Sequence, residues 1–126
     1  NIAHVGDLVF NKTFPYIDAN GGGSVASWIT VLDKVSNYYS KDTLFIFGHG
    51  ANNDLVTGSL DDVKAMNGLL SALIDFVSKE MKNGKNKLEI SLSTDIPGTI
   101  GWKERVAGML RITLEKVFDE LNKNKL

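Results

Sequence analysis

The sequence predicts an α/β fold, and three observations predict it. Leu44-Phe45-Ile46-Phe47 is an uninterrupted apolar run, too short for a typical helix and bounded by Asp42 and Gly48, so it reads as a strand buried on both faces. The stretches Val25 to Tyr39 and Val63 to Met81 repeat apolar residues at helical spacing. A further apolar segment, Ile2 to Phe10, precedes the first of them, so strand and helix patterns alternate.

Taken in order, Ile2 to Phe10 (IAHVGDLVF) is a strand interrupted at Gly6-Asp7, with Val5, Leu8, Val9 and Phe10 supplying its apolar character. His4 reads as a core or packing histidine. Asn11 to Gly23 is a loop, with aromatics either side of Pro15 and a glycine-rich end that holds no regular structure. Ser24 is placed as an N-cap, and Val25, Trp28, Ile29, Leu32, Val35 and Tyr39 trace one helical stripe. Three glycines before a helix could cradle an anion, but a flexible lead-in is the commoner use, and dinucleotide and P-loop patterns are absent.

After the strand at 43–47, Gly48 to Gly58 reads as a polar loop. Ser59, followed by Asp61 and Asp62, opens a long helix whose apolar face runs from Val63 to Met81. Lys79, Lys82 and Lys85 gather at its far end, and Gly84 stops it. Leu88 to Leu92 alternates, which fits a short strand or a single helical turn. A last helix is predicted from Lys103 to about Asn122, with Trp102 packing at its start and the end from Asn122 to Leu126 fraying. Its buried side carries Val106, Met109, Leu110, Leu114, Val117, Phe118 and Leu121. No internal repeat or linker divides the chain.

Composition narrows the function classes. The 126 residues suffice for one ordinary domain, and 43% hydrophobic with 23% charged residues is a globular profile. A net charge of −1 offers no basic field for nucleic acid and no polybasic patch for a membrane. Without cysteine, neither disulfides nor thiol chemistry operate in this segment, and the compartment stays open. The chain opens on Asn1 directly before an apolar segment, which points to a processed or truncated product.

Two positions carry candidate chemistry. His49 stands between Gly48 and Gly50 at the end of the buried strand, where ligands of α/β proteins commonly sit. A strand-end turn whose histidine bonds a neighbour is the plainer alternative. Asp7 is a carboxylate inside an apolar run, costly unless paired, hydrogen-bonded or metal-bound. A turn at Gly6-Asp7 is its plainer alternative. Carboxylate and imidazole are ordinary ligands of zinc and iron.

Set together, HVGDLVFN, the aromatic-proline loop leading to Gly23-Ser24 and a helix with Trp28-Ile29, and the strand ending in GHG resemble the C-terminal half of a metallo-β-lactamase-fold hydrolase. The order of parts matches from Ile2 to Lys82, and the last helix is compatible. The resemblance implies a four-layer α/β/β/α sandwich, of which residues 1–126 form the C-terminal part and the N-terminal half is absent. It implies that Asp7 bridges two metal ions and that His49 is the final histidine ligand, with zinc the expected ion and iron or manganese the alternatives. It also implies a metal-held hydroxide attacking an ester, amide or lactam, thioester or phosphoester, with Phe14, Tyr16 and Asp18 bordering the cleft of a small-molecule substrate.

The chain departs from the family in two ways. Phe47 stands where a proline is usual, and the histidine-rich H-x-H-x-D-H run appears nowhere. Asp7 and His49 cannot complete a metal site alone. The expectation is therefore an inactive fragment with a weak, incomplete metal site that need hold no ion where the other ligands are missing. Its inner sheet face, along Val5 to Phe10 and Leu44 to Phe47, is expected to need cover from the missing N-terminal half or a second copy. Two other readings remain: a non-catalytic structural or interaction module on the same scaffold, and an unrelated α/β domain.

Overall fold

Strands β1 (Ile2–Asn11) and β2 (Leu44–Gly50) lie parallel in the computed structural model, which describes residues 1–124. Helix α1 (Val25–Tyr38) connects them. The Ser24 hydroxyl caps α1 from outside its first turn, accepting from Ser27 N at 3.2 Å. Glu120, far along the chain, adds a second cap, accepting from Val25 N at 2.7 Å and Ala26 N at 3.1 Å. A carboxylate there satisfies orphan amides and meets the positive end of the helix dipole.

The strand pair is not regular. Ile2 pairs with Leu44 and His4 with Ile46, but Gly6 then pairs with Phe47 and Phe10 with His49. Between Gly6 and Phe10, β1 takes four steps where β2 takes two. The interruption expected at Gly6-Asp7 is thus a bulged passage inside one continuous strand rather than a turn between two. Gly6 supports it with φ +54, a left-handed conformation that a β-carbon disfavours. His4 is exposed, and its Nδ1 accepts from Gly6 N at 3.2 Å. That corrects the expectation of a core histidine: it braces the bulge from the solvent side.

Beyond β2, the loop expected over Gly48 to Gly58 is more ordered. β2 itself runs to Gly50, a 3₁₀ turn spans Asn53–Val56, and Thr57–Gly58 returns as β3, antiparallel to β2. The sheet order is β1-β2-β3, so β1 is an edge strand. Periodicity misses β3 because two residues carry no alternation.

Helix α2 (Leu60–Lys82) forms where expected. Ser59 and Asp62 make a reciprocal capping box, and Gly84, at φ +84, turns the chain out at the other end. Leu60, Val63, Met66, Leu69, Leu70, Leu73 and Val77 are buried along one face. The alternating stretch near Leu88 is a helical turn, α3 (Lys87–Ser91), decided by a second capping box between Asn86 and Glu89.

The last helix, α4 (Met109–Lys123), starts six residues later than Lys103. Lys103 is held in a β-bridge to Thr13, and Gly108 adopts φ +83, so helical hydrogen bonding cannot propagate back through either. Val106 consequently lies outside the helix and is 59% exposed instead of buried. Trp102 does pack against the core, with Lys12 Nζ 5.3 Å from its ring centroid. Of the predicted frayed end, 122–123 are helical, and Lys125 and Leu126 lie outside the described residues.

The result is a mixed α/β fold. Val9, Phe10, Phe45 and Phe47 are buried in one core with Leu32 of α1, Leu70 of α2 and Leu114 of α4. The chain's own helices cover these side chains from one side, so β2 alternates between buried and more exposed residues and is not buried on both faces as its apolar run predicts. The paired residues Ile2 and Leu44 stay exposed on the sheet. No helix among the described residues is long and apolar enough to cross a membrane.

Candidate functional site

The bulge in β1 and the end of β2 bring the two candidate ligands together. Asp7 Oδ1 lies 3.1 Å from His49 Nδ1. The Asp7 side chain is 71% exposed, so the burial cost expected of a carboxylate in an apolar run does not arise. The extra residues of the bulge lift it out of the ladder and into solvent.

The close approach depends on the glycine before the histidine. A β-carbon at Gly48 would overlap Asp7 Oδ1 and come within 2.9 Å of the Gly6 carbonyl carbon. Gly50 is equally confined, with the Leu55 carbonyl carbon 2.6 Å from where its β-carbon would stand. Both glycines of GHG are thus required by packing, beyond any freedom they lend the turn.

His49 is held by stacking. The Phe10 ring lies parallel to the imidazole, 3° between planes and 4.5 Å between centroids. Trp28 meets Phe10 edge-on at 6.1 Å, and its indole Nε1 donates to Leu8 O at 2.9 Å. A chain of rings from α1 through β1 therefore fixes the imidazole plane. Nδ1 is enclosed yet has no aligned hydrogen-bond partner, Asp7 included. The two atoms are close without being directed at one another.

Asp7 and His49 open onto a cleft of about 800 Å³, within the range of small-molecule sites. Phe14, Tyr16 and Asp18 line it, as do Leu8, Trp28 and Met109. The glycine-rich loop holds its shape through Asp18, whose Oδ1 accepts from Gly21 N at 3.0 Å. Thr113 Oγ1 of α4 donates to Pro15 O at 2.8 Å and pins the aromatic-proline turn.

Sequence reasoning missed three parts of this site. Phe10 and Trp28 were readable only as core residues, because stacking on His49 depends on the bulge register. Arg105 also lines the cleft, although the sequence assigns it to a helix. No third ligand joins the pair: among the described residues, no group of three or more His, Cys, Asp or Glu could hold a metal ion. Comparisons with protein-family models, curated proteins and solved structures give no match.

Proposed function

We propose that this chain forms the C-terminal half of an α/β/β/α metallo-β-lactamase-like hydrolase, with Asp7 and His49 among the ligands of a zinc-type dinuclear centre. One observation carries the reading: Asp7 Oδ1 stands 3.1 Å from an enclosed His49 Nδ1 that lacks a hydrogen-bond partner. Ligand atoms about 2.0–2.2 Å from a shared zinc ion lie roughly 3–3.5 Å apart, so the pair has the spacing of two neighbouring ligands. In this reading Asp7 and His49 would both help hold the ions. When bound, the ions supply Lewis acidity and lower the pKa of water for hydrolysis of an ester, amide or lactam, thioester or phosphoester.

The chain's own residues orient and exclude. Phe10 and Trp28 fix the imidazole, and Leu8, Phe14 and Met109 keep water from the apolar side of the cleft. The remaining ligands come from an N-terminal half, and that half or a second copy covers the sheet where Ile2 and Leu44 are exposed and β1 has a free edge. The scaffold does not select one substrate among these classes.

Zinc titration of the chain, followed through the imidazole NMR signals of both histidines, tests the site. His49 is expected to respond weakly and His4 not at all, with the His49 response lost in Asp7→Asn. An unchanged His49 signal would remove the metal reading. Metal analysis of the polypeptide joined to its N-terminal half is expected to give near two ions, and none would leave the non-catalytic module. The isolated chain should not turn over generic lactam, ester or phosphodiester substrates even with zinc. Robust turnover abolished by Asp7→Ala would show a complete site within these residues.

A further inference from the structure

The cleft carries charge unevenly. Asp7 faces His49, and Asp18 is engaged by the backbone of its own loop. Arg105 is different: its Nη1 donates to Gly50 O at 3.4 Å, and no carboxylate among the described residues lies within ion-pair distance of it. Most of its five donors therefore remain available. The contact with Gly50 places the guanidinium beside the residue that follows His49, at the same strand end.

This position is built rather than incidental. Lys103 N donates to Lys12 O at 3.0 Å, and Phe14 N donates to Lys103 O at 3.0 Å. Those two bonds tie the segment before α4 to the start of the cleft loop and carry Arg105 over the cavity. Thr13, at the same bridge, also lines the cavity, is 2% exposed, and has a hydroxyl with no partner. Most of the remaining wall is apolar.

We propose that the cleft binds an anionic substrate with an aromatic or aliphatic body, its carboxylate held by Arg105 and its apolar part against Phe14, Trp28 and Met109. A planar guanidinium matches a carboxylate through two parallel N–H bonds. A neutral polar substrate would leave the guanidinium without a counter-charge and the rings against water. The inference rests on the cleft being the substrate site of the function proposed above, and it names the substrate class.

The test uses the 126-residue chain in EDTA, with 2-naphthoate as anionic probe and 2-naphthylmethanol as its neutral counterpart. Binding is read from the Trp28 indole and Arg105 side-chain signals in ¹⁵N NMR. Naphthoate is expected to shift both and to bind about tenfold more tightly than the alcohol. In Arg105→Gln that preference should vanish while alcohol binding persists, which also shows that the cleft survives the substitution. Arg105→Lys should restore part of it. Equal affinity of the two probes for the unaltered chain would overturn the proposal without need of any variant. So would naphthoate binding that leaves Trp28 and Arg105 unmoved, or no binding of either probe. Because metal is excluded, such a failure leaves the zinc response of His49 intact, and loss of that response leaves this result standing.

Discussion

Helix α2 and the Gly6–Phe10 passage of β1 are built on opposite terms. In α2 every level agrees: a capping box at Ser59, acids in the first turn, lysines in the last, a left-handed glycine after the end, and seven buried residues on one face. In β1 the ladder slips twice, a glycine holds a left-handed φ, and an acid stands exposed where the apolar pattern asks for burial. Consistency among levels is what makes a segment stable, and departures concentrate where a chain has another task. The contrast teaches that the core and the candidate site draw on separate residues, so stability and ligand geometry should respond to different substitutions.

Removing a core side chain should have the largest effect on stability. Leu73 is wholly buried on α2, and Leu73→Ala is expected to cost about 2–5 kcal/mol by denaturant unfolding. The His49 imidazole environment should be little changed in the folded fraction. A loss below about 1 kcal/mol would mean that α2 does not organise the core as its burial implies.

Gly48→Ala sharpens the contrast from the other side. Its β-carbon would collide with Asp7 and the Gly6 backbone, so one strand must move. A destabilisation of about 1–3 kcal/mol is expected, together with a displaced His49 signal and loss of its zinc response. A variant that keeps both would show that Asp7 and His49 tolerate more separation than the close approach indicates.

Asp7→Ala should separate site from stability most cleanly. With its side chain 71% exposed, Asp7 is expected to change the unfolding free energy by no more than about 0.5 kcal/mol, while the zinc response of His49 disappears. Substantial destabilisation would give Asp7 a structural role and blur the comparison.

The smallest effect concerns acid sensitivity at the end of α2. Lys85, by hydrogen bonding and by its charge, holds the Glu80 carboxyl below its ordinary value of 4.5. A lowered folded-state pKa stabilises above the unfolded value, and that contribution is lost as pH falls through the folded one. Glu80→Gln should therefore lower Tm slightly near neutrality and flatten its decline below about pH 4.5, the two proteins converging in acid. A steeper decline in the variant would reverse the assignment.

Local pattern determined much of this molecule. The helical stripes from Val25 and Val63, their serine caps, the glycine stop at Gly84 and the apolar strand through Phe45 are encoded within a few residues, and the structure has each in place. Asn86 and Glu89 could have settled the ambiguous stretch near Leu88, since a capping box is legible at that spacing. The late start of α4 could not be read so directly. A Thr13–Lys103 bridge competes with helix formation there, and a partner ninety residues away leaves no local trace.

The site followed the same division. Asp7 and His49 stood out as residue types at a strand interruption and a strand end. Their 3.1 Å approach, the stacking of Phe10 on the imidazole and the arrival of Arg105 over the cleft depend on how β1 registers against β2 and how the chain returns across them. Periodicity specifies which face of an element is apolar, because that depends on near neighbours alone. Register across strands and contacts between distant segments are chosen by the packing of the whole chain, and only the tertiary structure could decide them.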